Sequence, residues 1–471
     1  VAVIGVGTMG RGIAITFLQA GFPVTLVETT KTALEQGLED IKSHFQRAVQ
    51  KGRLSPELAE AFTSHATGTL DYSELAETDL IIEAAFESMN VKRQIFEALD
   101  RHAKPGAILA SNTSTLDLDE IAAVTSRPED VIGLHFFSPA NVMRLLEVVR
   151  GAKTAPDVIA TAITVAKKIR KLSVTVGVCY GFVGNRMLEP YFREGSRLLL
   201  EGATPKQVDD VLETFGMAMG IHAMADLAGV DVGARVRQER RSEIAHDPTY
   251  QAVQDRLFEL GRLGQKTGRG SYVYEGRTRV EDPEIVQISA HLADLHGVKR
   301  REISDQEILE RCLFPLINEC LLILGEEIAT RPGDCDLIWV NGIYDFEAQV
   351  EGLTAQYGMA LASGNKSAAR TMQSDLQKIA GLANGYNNLS AFLEGAYEQQ
   401  SLLKKRVELM RVDAETQLPS SFVVDYASAA DKKSKPVRWL IVVMTAVIAV
   451  GASFLAMLAW ETLQRAQTPN A

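Results

Sequence analysis

The chain opens on "VAVIGV", an apolar run of the kind a buried parallel strand carries, and "TMGRGIAITFLQAG" after it repeats its apolar positions at helical spacing up to Gly21. "PVTLVE" (23–28) predicts a second strand, and with it a βαβ unit. Further apolar runs predict strands over 80–86, 107–112, 131–137 and 144–149, mostly separated by charged segments of helical pattern. This alternation predicts a doubly wound α/β domain over residues 1–177. From Gly181 the pattern turns helical, with one strand signal in "SYVYE" (271–275), and predicts an all-α domain over 178–296.

A repeat lies inside the helical part. "NRMLEPYFREGSRLLLEGATPKQVDDVLETFG" (185–216) aligns with "ERCLFPLINECLLILGEEIATRPGDCDLIWVNG" (310–342), matching Arg186 to Arg311, Leu188 to Leu313, Pro190 to Pro315 and Glu194 to Glu319. One inserted residue then brings Asp210 against Asp336 and Gly216 against Gly342. Residues 297–342 therefore read as a truncated second copy, each copy burying its apolar face against the other.

After Gly342 the character changes. Residues 343–436 read as a helical segment, suited over 343–412 to one or two long amphipathic helices or a coiled coil, that closes on the basic linker "ADKKSKP". From Trp439 to Trp460 no residue is charged, a run about as long as the ~20 residues that cross a bilayer core, with a tryptophan at each end. A transmembrane helix is expected over 437–461, then a short tail over 462–471.

Composition narrows the function. Hydrophobic residues at 46% and charged residues at 23% are globular values. A net charge of -11 excludes a general nucleic-acid binder, because no broad basic face is available for phosphates. The cysteines Cys179, Cys312, Cys320 and Cys335 have no zinc or redox spacing, so neither a metal site nor a disulfide framework is expected, and reduced thiols in a cytoplasm are. Beginning at Val1, directly in a strand, suggests that the true N-terminus lies upstream.

Gly5, Gly7 and Gly10 form G-x-G-x-x-G between a strand and a helix, the Rossmann-type dinucleotide fingerprint. The helix start at Thr8, Met9 and Gly10 offers free N–H groups to a pyrophosphate. Glu28 ends the second strand, where a carboxylate accepts from ribose hydroxyls and repels a 2′-phosphate. Thr29 and Thr30 follow it where an arginine would be wanted, so NAD is expected over NADP.

"SNTSTL" (111–116) places hydroxyls at a strand's carboxyl edge, where doubly wound sheets bind ligands. "GLHFFSPANVMRLLEVV" (133–149) reads as two strands around a turn. With the hairpin centred near Asn141, His135 falls opposite Glu147. Such a carboxylate fixes an imidazole's tautomer and raises its basicity, which suits a general base; a structural histidine is the alternative.

Residues 1 to about 342 resemble the 3-hydroxyacyl-CoA dehydrogenase part of multifunctional fatty-acid β-oxidation enzymes. The resemblance rests on "GVGTMGRGIA", "EAAFE", "SNTSTL", "GLHFFSPANVMRLLEVV", "GFVGNR", "DLAGVDVG" and "GQKTGRG", in that order. It implies NAD-dependent oxidation of a 3-hydroxyacyl-CoA, with His135 as base and Glu147 as its orienting partner. Ser114 and Asn185 would contact the substrate's 3-hydroxyl and thioester region. Glu87, Lys92 and Lys266 match cofactor contacts, and Lys51 is either a contact to the coenzyme A phosphates or a solvated helix lysine. A homo-oligomer or a β-oxidation complex would be the setting. Ser138 stands where single-function relatives carry an amide, and a hydroxyl there can still hydrogen-bond to the cofactor. Glu310 stands in the second copy where Asn185 stands in the first, so that copy is expected to be structural. A β-hydroxyacid dehydrogenase is the other enzyme reading, disfavoured because a lysine base would be expected there.

Residues from about 343 resemble the C-terminal part of polysaccharide chain-length determinant proteins, the Wzz-like copolymerases, through "LPSSFVVDYASAADKKSKPVR" and the final apolar span. That implies a membrane-anchored assembly protein with the dehydrogenase region as passenger. The two parts disagree about compartment: cytoplasm for residues 1–342, and an extracytoplasmic face for the helical block of the second family. Lys432, Lys433, Lys435 and Arg438 before the span put its N-terminal side in the cytoplasm. Two coding segments joined near Gly342 would account for the conflict.

Overall fold

The structure is a computed structural model and describes residues 1–342 except Ala218, Ala245 and Arg277. The coiled coil, basic linker, transmembrane span and tail expected over 343–471 lie outside the described residues. Among the described residues no helix is long and apolar enough to cross a membrane.

The chain runs β1 (Ala2–Ile4), α1 (Thr8–Gln19), β2 (Val24–Val27), α2 (Lys31–Gln50), α3 (Pro56–Ser64), β3 (Ala66–Thr69), β4 (Leu80–Glu83), α4 (Met89–His102), β5 (Ile108–Ser111) and α5 (Leu118–Ala122). Then come β6 (Val131–Phe136), β7 (Leu145–Arg150), α6 (Pro156–Lys168) and β8 (Leu172–Gly177). These strands form one sheet in the order β3-β2-β1-β4-β5-β6-β7-β8. Pairing is parallel except between β6 and β7, which run antiparallel. The order reverses between β1 and β4, and the carboxyl edge at such a switch point is where doubly wound sheets take ligands.

Both faces of the sheet are covered, which is why its strands are apolar without interruption. Alternate residues sort between two cores. Val3, Leu26, Ile82, Ala110 and Ile132 pack with α1, α2 and α6. Ala2, Ile81, Leu109, Val131 and Leu145 face the other way, into a core shared with the helical part. The two-residue period therefore turns His135, in step with Val131, and Glu147, in step with Leu145, toward that helical part.

The helical part holds α7 (Gly184–Glu201), α8 (Pro205–Phe215), α9 (Ile221–Ala228), α10 (Val230–Glu239), α11 (Arg241–Ile244) and α12 (Ala252–Glu259). A hairpin of β9 (Tyr272–Glu275) and β10 (Thr278–Glu281) follows, then α13 (Pro283–Leu295), α14 (Asp305–Gly325) and α15 (Pro332–Gly342). α7 and α14 are the long helices of the two repeat copies and pack on each other with reciprocal ion pairs. Arg186 donates to Glu319 at 2.7 Å, and Arg311 to Glu194 at 3.0 Å, so equivalent arginines reach equivalent glutamates.

The strand expected over 80–86 stops at Glu83. After it the Ala85 N–H turns back onto the Glu83 side chain at 2.8 Å, and the chain leaves the sheet, exposing Phe86. β3, β8 and β10 had no strand signal in the sequence.

Candidate active site

The glycine turn follows β1 directly. Gly5 has φ +90, and a Cβ there would lie 2.8 Å from the Ala84 carbonyl of the neighbouring strand's extension. A Cβ on Gly10 would meet the Gly5 oxygen at 1.9 Å, so only glycine lets α1 start this close to β1. Gly7 faces open space, and no side chain caps the first turn of α1. The N–H groups of Thr8, Met9 and Gly10 have no acceptor within the helix and carry its positive dipole end. Glu28 sits beside this turn, accepting from Val6 N at 3.2 Å and Thr29 N at 2.7 Å. The bare glycine cradle of Gly5, Gly7, Thr8, Met9 and Gly10 and the adjacent Glu28 carboxylate have the shape and charge that could hold a dinucleotide's pyrophosphate and ribose.

Beneath the cradle runs a buried charge network absent from the sequence reading. Glu83 accepts from Lys92 Nζ at 2.8 and 2.9 Å and from Ser111 Oγ at 2.7 Å, with its side chain 0% exposed. The Lys92 ammonium, 1% exposed, also contacts Glu87 at 3.0 Å. Glu87 in turn accepts from Thr113 Oγ1 at 2.7 Å, Ser114 N at 2.8 Å and Ser114 Oγ at 3.3 Å. Burial alone would raise the Glu87 carboxyl, but Lys92 and these donors outweigh it and hold the group below its ordinary value. Lys92 was expected at the cofactor; its ammonium is instead buried between two carboxylates, and its reach to the site goes through Glu87. Glu83 escaped the sequence reading because a carboxylate inside an apolar strand has no local signal.

His135 and Glu147 are direct cross-strand partners in the β6–β7 register. His135 Nδ1 lies 2.6 Å from Glu147 Oε2, with the glutamate side chain fully buried. The other oxygen, Oε1, accepts from Val183 N at 3.1 Å and Gly184 N at 2.9 Å, at the start of α7. Gly181 and Phe182 both take positive φ, which turns these amides onto the carboxylate. With both oxygens accepting, Nδ1 of the imidazole is the protonated nitrogen and Nε2 the basic one. The rings of Phe137 and Phe182 flank the imidazole, with centroids at 4.6 and 5.7 Å.

Asn185, next on α7, donates through Nδ2 to the Ser114 carbonyl at 3.4 Å, so the β5 loop and the helical part meet here. A cavity of about 350 Å³ begins at these two residues and continues between Leu188, Phe192, Val230 and Val236. Ser138 is exposed just beyond the carboxyl end of β6. Lys51 caps the C-terminus of α2 and lines, with His44, Arg47 and Arg53, a separate hollow of about 540 Å³. Burial, then Arg47, lowers the His44 pKa, so the positive charge there comes from the arginines and Lys51. Lys266 is exposed and ion-paired with Asp231 at the start of α10. Glu310, the counterpart of Asn185, accepts from Gln306 on its own helix at 2.8 Å. Among the described residues no cluster has metal-ligating composition.

Residues 1–179 match the family described as 3-hydroxyacyl-CoA dehydrogenase, NAD binding domain, and residues 181–274 the 3-hydroxyacyl-CoA dehydrogenase C-terminal domain. A crystal structure of (S)-3-hydroxybutyryl-CoA dehydrogenase from Ralstonia eutropha is 35% identical, with a TM-score of 0.54, covering 58% of this chain and 98% of that one. The dehydrogenase part of multifunctional enzyme 1 from C. elegans is 32% identical, with a TM-score of 0.54, covering 73% and 77%. The chain belongs to the 3-hydroxyacyl-CoA dehydrogenase family.

Within this dehydrogenase family, the peroxisomal bifunctional enzyme of Danio rerio is 45% identical over 355 residues, covering 72% of this chain and 49% of that protein. The chain thus spans about half the length of the curated relatives it matches. The two family matches meet in the loop between β8 and α7, where the dehydrogenase sheet hands over to the helix that binds Glu147. The Wzz-like resemblance of the residues from about 343 finds no support in these matches and lies outside the described residues.

Proposed function

We propose that the chain oxidises (S)-3-hydroxyacyl-CoA to 3-oxoacyl-CoA with NAD, as a step of fatty-acid β-oxidation. The observation that carries this reading is the buried His135–Glu147 pair, locked to the N-terminus of α7 beside a cleft that Ser114 and Asn185 line.

His135 Nε2 takes the proton of the substrate's 3-hydroxyl as the C3–O bond gains carbonyl character. The charge that develops on the imidazole is balanced by Glu147, which the two amides of α7 hold in place. When bound, NAD supplies the acceptor for the hydride that leaves C3. The second proton of Asn185 Nδ2 and the Ser114 Oγ proton, once it turns from Glu87, are the donors for the 3-oxygen and the thioester carbonyl. Phe137 and Phe182 keep water from the imidazole. Glu87 holds the Ser114 loop; Ser138, Lys92 and Lys266 remain proposed cofactor neighbours, Lys92 through Glu87. Arg47, Lys51 and Arg53 give the hollow by α2 a charge that suits the phosphates of coenzyme A.

The free thiols of the described residues suit a reducing compartment, whether cytoplasm or the peroxisome named for the relatives. Work as a homo-oligomer or within a β-oxidation complex is part of the same proposal. The membrane anchor over 437–461 rests on its uncharged run alone, and sedimentation of the whole chain with membranes tests it.

The purified chain, mixed with NAD and (S)-3-hydroxybutyryl-CoA, should produce NADH. His135→Ala should lower the rate at least about 10²-fold. A folded chain that forms no NADH overturns the reading.

A further inference from the structure

The cavity that begins at Ser114 and Asn185 has apolar side chains along much of its wall, and polar contacts tie its walls together: Arg237 donates to Gln251 at 2.8 Å, and a larger knot forms around Glu189. Glu189 accepts from Tyr250 Oη at 2.7 Å and from Arg240 Nη1 at 3.0 Å. The Arg240 guanidinium lies 4.1 Å from the centre of the Tyr180 ring. All four residues line the cavity. They come from four segments: Tyr180 from the loop before α7, Glu189 from α7, Arg240 from the end of α10 and Tyr250 from the loop before α12. The side chains of Glu189 and Arg240 are only 30% and 21% exposed, so the pair is partly withdrawn from water. Burial, and then the hydrogen bond to Glu189, raises the Tyr250 hydroxyl above the ordinary phenol value, so it stays a donor to the carboxylate.

Helix geometry sets the spacing between Asn185 and the knot. Asn185 and Glu189 are four residues apart on one face of α7, a rise of about 6 Å. An extended chain advances about 1.2 Å per bond, taking roughly 3.5 Å for three bonds. An extended acyl chain that runs along α7 from a thioester carbonyl at Asn185 would bring about its sixth carbon level with Glu189. Shorter acyl groups on that path would end among the apolar lining residues, Leu188 and Val230 among them. Longer ones press methylenes on a hydrogen-bonded ion pair, whose charged groups lose solvation with no new partner.

We propose that the Glu189–Arg240–Tyr250 knot is a length-limiting element of the acyl cavity, which makes 3-hydroxyacyl thioesters of about four to six carbons the preferred substrates. The inference rests on the dehydrogenase reading above.

The test compares the whole chain with a Glu189→Leu/Arg240→Met variant, which replaces the ion pair by apolar groups of similar length, and with Tyr250→Phe, which removes one hydrogen bond. Each is assayed with NAD on 3-hydroxybutyryl-CoA and on 3-hydroxyhexadecanoyl-CoA. The unaltered chain should favour the short thioester in kcat/KM, and the double variant should shift the long-to-short ratio upward at least tenfold. Tyr250→Phe should shift it the same way by less, and it carries the comparison alone if the double variant does not fold. An unchanged ratio in a folded variant overturns the knot's role, as does a long-chain preference in the unaltered chain. No turnover of either thioester by the unaltered chain overturns the dehydrogenase reading instead.

Discussion

Glu147 holds His135 with one carboxylate oxygen and the N-terminus of α7 with the other, so the imidazole is oriented by a group that is itself pinned by the second domain. Glu147→Gln would put an amide NH₂ where both neighbours are donors. Either the α7 amides lose their acceptor or Nδ1 must become one, which transfers the proton to Nε2 and removes the base. The expected result is a fall in kcat of about 10²- to 10⁴-fold, with KM for NAD little changed. Steady-state kinetics check it, and a loss smaller than tenfold would contradict the assignment.

The Glu83–Lys92–Glu87 network should be a stability element as much as a positioning one. Lys92→Met leaves a fully buried Glu83 facing no cation, a defect of about 3–5 kcal/mol. Adding Glu83→Gln removes the stranded charge and should recover part of the loss, because the two residues share one interaction. Urea denaturation of the single and double variants measures this. A Lys92→Met chain as stable as the parent would show that the network contributes nothing.

His222 on α9 gives the fold an acid-side weakness. It is fully buried, both ring nitrogens lack a hydrogen-bond partner among the described residues, and burial lowers its pKa to about 4 against the opposing pull of Asp226. The unfolded chain takes up this proton near 6.5 and the folded one only near 4. Stability on this account is whole above about pH 6.5 and falls as pH drops toward 4, by up to about 3 kcal/mol. Asp209, raised to about 6 chiefly by burial, works in the opposite sense: the folded carboxyl binds its proton first as pH falls from 6. His222→Leu removes only the first contribution. The variant should be at least as stable as the parent near pH 7 and should lose less stability by about pH 5. Urea midpoints at the two pH values decide it, and equal acid-side losses in both chains would refute the account.

What the residues by themselves determined is local. The glycine turn, the acidic end of β2 and the placement of His135 opposite Glu147 all follow from short-range patterns: a turn that needs positive φ, a carboxylate at a strand end, and a two-residue period reflected about a turn. The repeat alignment belongs here too, since the equivalence of Arg186 with Arg311 and of Glu194 with Glu319 reappears as reciprocal ion pairs between α7 and α14.

The strands without a sequence signal show the limit of such patterns. β3 and β8 are the two edges of the sheet, where one side has no strand partner among the described residues and polar residues such as Thr67 and Ser173 are tolerated. Their apolar signal is correspondingly weak. Only tertiary structure decided that Lys92 is buried, that Glu87 fastens the Ser114 loop, that α7 supplies the amides under Glu147, and that Glu189 meets Arg240 and Tyr250 across the cavity. Each of these depends on groups far apart in the chain, and a buried charge is stable only when packing brings its partner to it, which no local periodicity encodes.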